Sequence, residues 1–267
     1  MNDRNPTSRR FVGRLLILLA MVLFSGCTLE EESIPAGQFI DNTDFDDTFD
    51  DGLPGAARFA GKKWLVIGDS ISVRHALVRT DYEEYASEWL GCSVMNVAAG
   101  GTGYMQPAGT APSWLDAMAS WPEASEVDFI TVMGALNDAG NPLGGPDDRG
   151  RGTFYGTLDL FYSHLAAKYR GVPVGVITST PRNYCHGEDG QYVGWIDAVR
   201  VVAARFSLPV LDLYRISGLE PWTCDGNEEY FIAWGSFTRG DGVHPNTKGH
   251  FAMAKLIYPF IVENLGP

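Results

Sequence analysis

Two short stretches of this 267-residue chain carry residue types that could do chemistry together. Near the start of the globular part, Trp64-Leu65-Val66-Ile67 runs into Gly68-Asp69-Ser70-Ile71-Ser72. An apolar run that breaks in this way puts a serine hydroxyl at the carboxyl edge of a strand. Near the end lies Asp241-Gly242-Val243-His244, just ahead of a last amphipathic stretch. Serine is a weak nucleophile at neutral pH and needs a neighbouring imidazole to take its proton. The imidazole in turn needs a carboxylate to fix its tautomer and stabilise the imidazolium that forms. Either stretch alone is also ordinary turn chemistry. As a pair they make Ser70, His244 and Asp241 a candidate triad, with Asp69 read as a group that holds its own loop.

The elements that must position these residues follow from the hydrophobic pattern. Near-continuous apolar runs at 63–67, 93–97, 129–133, 173–178 and 209–213 read as short strands buried on both faces, as in a parallel sheet. Stretches around 81–90, 113–119, 153–169, 192–206 and 246–264 read as helices. In the last of these, Phe251, Ala254, Ile257, Tyr258 and Ile261 form an apolar stripe, and Asn246 is placed to cap its start. Alternation of this kind predicts an α/β fold: a three-layer α/β/α sandwich around a central parallel sheet of about five strands. Sites in such sheets lie at the carboxyl ends of the strands. Gly68-Asp69-Ser70, Ala98-Ala99-Gly100-Gly101 and Gly134-Ala135-Leu136-Asn137-Asp138 all fall there.

The flanking sequence suggests export. Arg4, Arg9, Arg10 and Arg14 precede an apolar run from Leu15 to Phe24, followed by Ser25-Gly26-Cys27. That run is shorter than the ~20 residues a bilayer span takes, and the pattern is that of a secretory leader. Its end resembles a bacterial lipobox. The resemblance implies a signal peptide over 1–26, lipid on Cys27 and an extracytoplasmic protein anchored to the membrane. Without lipid on Cys27 the same leader would give a secreted protein or an uncleaved anchor. Residues 27–60 are expected to be an acidic, flexible tether: nine carboxylates lie between Thr28 and Ala57 with no Lys or Arg among them. The folded domain is then expected over 61–267.

Composition narrows the classes further. The chain is 45% hydrophobic and 12% aromatic, enough for a full core. A formal net charge of −13 argues against nucleic acid as a partner, because phosphate binding needs a basic face. Cys92 reads as a small buried residue, and Cys185 and Cys224 could pair in an oxidising compartment. No spacing suggests a metal site, and no cofactor is expected.

Four blocks appear in order, and together they resemble the SGNH, or GDSL-type, hydrolase superfamily over residues 61–267. Gly68-Asp69-Ser70-Ile71-Ser72 is similar to the nucleophile block, and Asn96-Val97-Ala98-Ala99-Gly100-Gly101-Thr102 to the glycine block. Gly134-Ala135-Leu136-Asn137-Asp138 and Asp241-Gly242-Val243-His244 are similar to the other two. The resemblance implies a flavodoxin-like sheet and an esterase working through an acyl-serine intermediate. Ser70 would be nucleophile, His244 general base and then acid, and Asp241 the group that orients it. The N–H groups of Ser70 and Gly101 with the Asn137 amide would form the oxyanion hole; spacing from Asn96 favours Gly101 over Gly100. Expected substrates are small-molecule or glycan esters (short-chain acyl esters or O-acetyl groups), with lipid or thioester substrates as the alternative and a monomer as the expected state. A non-catalytic surface lipoprotein that binds carbohydrate in the same cleft is the reading from another class. His75, expected on a helix, and His186 and His250 are given no role. Tyr104, Trp114 and Trp234 are candidates to line the pocket, and residues 181–189 and 218–239 to shape it.

Overall fold

The computed structural model describes residues 44–266 apart from 51, 184 and 186–191. Cys27, the leader and His186 lie outside the described residues. Five strands form one wholly parallel sheet: β1 (Lys63–Gly68), β2 (Ser93–Asn96), β3 (Phe129–Gly134), β4 (Val174–Thr178) and β5 (Val210–Leu211). Their spatial order is β2-β1-β3-β4-β5. The chain therefore steps from β1 to one side, then crosses to the other, which leaves a crevice at the carboxyl ends of β1 and β3.

The strands are buried on both faces because each face feeds a separate core. Leu65 and Ile67 of β1 join Ile130, Val132 and Val176 under α2 (Trp114–Ala117), α3 (Phe154–Lys168) and α4 (Val193–Arg205). Trp64 and Val66 point the other way, joining Phe129, Met133 and Ile177 under α1 (Tyr82–Leu90) and α7 (Thr247–Asn264). This is the expected three-layer sandwich. Trp64 is fully buried, stacks on Phe129 with centroids 5.8 Å apart and satisfies its indole N–H on Thr131 Oγ1 at 2.8 Å. An aromatic of that size contributes several kcal/mol of apolar burial, at about 25 cal/mol per Å².

Helix starts are set by short polar side chains. Asp81 accepts from Glu84 N at 2.9 Å and opens α1. Asn246 does the same for α7 through Gly249 N at 2.9 Å, as the sequence predicts. The apolar stripe of α7 is buried throughout. Two shorter helices, α5 (Leu213–Ile216) and α6 (Cys224–Tyr230), follow β5. Among the described residues no helix is long and apolar enough to cross a membrane.

One boundary needs correction. The described end of the acidic stretch is not a free tether, and packing begins before residue 61. Phe45 lies 5.5 Å from Phe251, and Phe49 lies 4.5 Å from Trp89 and 5.9 Å from Tyr258. Asp47 accepts from Arg79 at 2.7 Å, and Phe59 is fully buried. The aromatic rings outweigh the surrounding carboxylates because they cover apolar surface on α1 and α7 while the charges stay in water. Cys185 and Cys224 are both free thiols, and Cys92 is half-buried, with burial pushing its thiol up to about 12.

Candidate active site

Ser70 begins a single 3₁₀ turn directly after β1, with Asp69 as its cap: the Asp69 carboxylate accepts from Ile71 N at 3.0 Å. Asp69 is thus occupied in holding the loop, and burial pushes its pKa up to about 6. The turn carries the Ser70 hydroxyl to the crevice, where His244 Nε2 lies 3.1 Å from Ser70 Oγ. On the far side of the ring, Nδ1 lies 2.6 Å from Asp241 Oδ2.

The geometry assigns the imidazole tautomer. Asp241 is 3% exposed yet faces four donors: the N–H groups of Val243 and His244 on Oδ1, both at 2.8 Å, and His244 Nδ1 and Trp234 Nε1, at 3.1 Å, on Oδ2. Burial alone would raise its pKa. The bonds from the His244 ring and the two backbone N–H groups outweigh burial and hold it below the ordinary carboxylate value. An ionised Asp241 keeps the proton on Nδ1, so Nε2 presents a lone pair to Ser70. The loop that does this requires Gly242: its φ is +64°, and a Cβ there would fall 1.3 Å from the Asn183 carbonyl oxygen.

The expected oxyanion donors gather at the same crevice. Asn137 sits in a 3₁₀ turn after β3 and donates one amide hydrogen to Thr102 O at 3.0 Å. Gly100 and Gly101 follow β2. A Cβ on Gly100 would stand 3.8 Å from Ser70 Cβ, and Gly101 has φ +74°. Among the described residues, the amide N–H groups of Ser70 and Gly101 have no acceptor. Asp138, the neighbour of Asn137, fixes the glycine loop from below by accepting from the N–H groups of Tyr104, Met105 and Gln106 at 2.9–3.0 Å. A hydroxyl aimed by a base, beside amide donors without acceptors, is equipped to attack a carbonyl carbon and hold the oxyanion.

The model of the GDSL-like Lipase/Acylhydrolase family matches residues 66–252, well over half of the chain and all four blocks. The chain belongs to that family. Solved structures agree in fold. A Lactobacillus plantarum protein is 24% identical, with a TM-score of 0.64 over 76% of this chain and 98% of its own. A possible lipase from Chitinophaga pinensis is 19% identical, with a TM-score of 0.60 over 76% and 98%. The lipase/acylhydrolase of Enterococcus faecalis is 18% identical, with a TM-score of 0.52 over 76% and 96%. A search of curated proteins found no match.

Within this GDSL-like domain, the fold redistributes the other candidates. Tyr104 and Trp114 are core residues: the first is fully buried with its hydroxyl 2.9 Å from that of Tyr162, and the second bonds Thr102 Oγ1 at 2.9 Å. Trp234 instead stands half-exposed on Asp241. His75 is not on a helix but in the loop leading to α1, its ring 6.2 Å from that of His244 and tilted 30°. Its Nδ1 accepts from Leu77 N at 3.2 Å, and burial, then the charge of His244, lower its pKa. His250 is buried on α7 and accepts from Tyr82 N at 3.3 Å. Sequence reasoning missed Trp234 as a partner of Asp241 and His75 as a neighbour of His244. No spacing signal could have shown either: His75 and His244 lie on separate loops, and Trp234 meets Asp241 only because the chain between them turns back, Asp241 N donating to Ile232 O at 2.8 Å.

Proposed function

We propose that this GDSL-like protein is a serine esterase that hydrolyses carboxylic esters, short-chain acyl esters or O-acetyl groups on a glycan, through an acyl-serine intermediate. The observation that carries the reading is the continuous path from Asp241 through His244 to Ser70. In the first step Ser70 Oγ bonds to the ester carbonyl carbon while its proton passes to His244 Nε2. The carbonyl oxygen becomes the oxyanion, held by the Ser70 and Gly101 N–H groups and the Asn137 amide. The C–O bond to the alcohol then breaks, and His244 returns the proton to the departing oxygen. Water repeats the sequence on the acyl-serine: His244 takes its proton, the acid leaves, and Ser70 recovers its hydrogen. Asp241 stays ionised throughout and stabilises the imidazolium.

The leader belongs to the same proposal. Lipid on Cys27 would tether the enzyme outside the cytoplasm, where acylated surface glycans and small esters are in reach. The mass of the mature amino terminus, with and without Cys27→Ala, tests that part.

The enzymatic part is tested with a soluble form beginning at Thr28, so that Phe45 and Phe49 are kept. Its turnover of p-nitrophenyl acetate is compared with that of Ser70→Ala. The expected result is loss of turnover in the variant together with loss of labelling by an organophosphonate. Equal turnover by both forms would remove Ser70 from the mechanism.

A further inference from the structure

Helix α6 begins at Cys224, with the Thr223 hydroxyl accepting from Gly226 N at 3.0 Å to cap it. A distant piece of chain is fastened to this helix entry. Cys185 N donates to Pro221 O at 3.1 Å. Asn227, fully buried about one turn into α6, donates its side-chain amide to Asn183 O at 3.2 Å and to Pro221 O at 3.1 Å. The short stretch from Asn183 to Cys185 is thus joined to α6 at two points.

The same stretch supports the catalytic loop from the other side. Asn183 N donates to Gly242 O at 3.0 Å. A Cβ on Gly242 would fall 1.3 Å from Asn183 O and 2.9 Å from Asn227 Nδ2. Gly242 lies between Asp241 and His244, so the acid–base loop rests directly on the junction of this stretch with α6.

Two thiols meet at that junction. Cys185 and Cys224 are both free and half-buried, so a small oxidant can reach them. Burial, and then the hydrogen bond and charge of Cys224, push the Cys185 thiol up to about 11, while the Arg239 guanidinium pulls it down. Arg239 is held there by α6 itself, through Glu228 at 2.9 Å and Asp225 at 3.3 Å. A positive charge beside a thiol favours the thiolate, which is the species that attacks a disulfide. Cys92 sits elsewhere, packed on the core under α1.

We propose that Cys185 and Cys224 form a disulfide that clamps residues 183–185 to α6 and so steadies the loop carrying Asp241 and His244. One cysteine, as thiolate, attacks an external disulfide and releases its first thiol. The other cysteine then attacks the cysteine sulfur of that mixed disulfide and releases the second thiol. Two cysteine S–H bonds and the external S–S bond are lost; one S–S bond in the protein and two external S–H bonds are formed. The oxidant therefore takes up two electrons and two protons. An exported chain meets oxidants of this class.

The test uses the full-length chain in mild detergent, incubated with glutathione disulfide or with dithiothreitol, alkylated with N-ethylmaleimide and digested. The expected result after glutathione disulfide is a peptide pair joined through Cys185 and Cys224, with Cys92 alkylated. After dithiothreitol all three should be alkylated. Alkylated Cys185 and Cys224 in the oxidised sample overturn the proposal, as do glutathione left on either one or a bridge to Cys92. Hydrogen exchange then reads the clamp. Amides of residues 240–246 should exchange at least about threefold more slowly in the oxidised form, with those of β1 unchanged. The melting midpoint should rise by about 5 °C. Equal exchange at 240–246 in the two forms overturns the clamp. Both forms are wild type, so the result does not hang on a variant that fails to fold. Cys92→Ser should keep both effects, and their loss in that variant overturns the assignment. Neither readout uses an ester, so a failure of the esterase reading is seen separately.

Discussion

The Asn137 side-chain amide donates to the Thr102 carbonyl oxygen at 3.0 Å, which uses one of its two hydrogens and aims the other. A neutral amide held in this way is set before the reaction starts, and in the proposed mechanism it would stabilise the developing charge without reorganising. Asn137→Ala should lower kcat on p-nitrophenyl acetate by about 10²–10³-fold, with KM nearly unchanged. Steady-state kinetics on the variant check this. A loss confined to KM would make Asn137 a ground-state contact.

His250 sets an acid limit on stability. Its ring stacks on Tyr82, and its Nδ1 must stay unprotonated to accept from Tyr82 N. Burial, with the charges of His244 and His75, pushes its pKa down to about 3. An unfolded histidine titrates near 6.5, so the unfolded chain binds the proton first. The stabilisation is complete above that value and declines as pH falls towards 3. Chemical unfolding between pH 7 and pH 4 should therefore show a steeper loss for wild type than for His250→Gln, which has nothing to titrate.

Glu83 works in the opposite direction. It is 3% exposed, its Oε2 has no hydrogen-bond partner among the described residues, and Oε1 lies 3.5 Å from Asn96 Nδ2. Burial, and then the charge of Asp81, raise its pKa well above the ordinary value. The folded chain then holds a proton that the unfolded chain releases. The contribution is full below the unfolded pKa of about 4.3 and is lost as pH rises. Glu83→Gln keeps the shape without the charge and should be more stable than wild type at pH 8, the gap closing near pH 4. Parallel stability curves would mean that Glu83 is ionised in the fold.

Ala135, which precedes the Asn137 turn, has φ +147°, a conformation that residues with a Cβ rarely adopt. Strain of this kind costs on the order of 1–3 kcal/mol, whereas a buried methyl contributes only about 0.8 kcal/mol. Ala135→Gly should thus be neutral or stabilising by up to about 2 kcal/mol. Ala198 is equally buried but lies within α4, so Ala198→Gly should lose about 2 kcal/mol from helix propensity and methyl burial together. Denaturant midpoints of the two variants separate strain relief from simple core loss.

The sequence alone determined the three layers and the parallel sheet, and it marked Ser70, Asp241 and His244 as candidates to meet. Those features are local: an apolar run stops, a polar group appears at its end, and a cap opens the next helix. The tertiary structure decided what depends on segments distant in the chain meeting in space. Phe45 and Phe49 were hidden by the carboxylates around them until α1 and α7 supplied surface to cover. Tyr104 and Trp114 carry the same residue types as Trp234, yet the first two fill the core. Only the fold-back of residues 230–246 brings the Trp234 indole onto Asp241, and only the loop before α1 lays His75 against His244. Backbone pattern repeats within a few residues and can be read along the chain; side-chain partnership is set by closure between loops, which no spacing encodes.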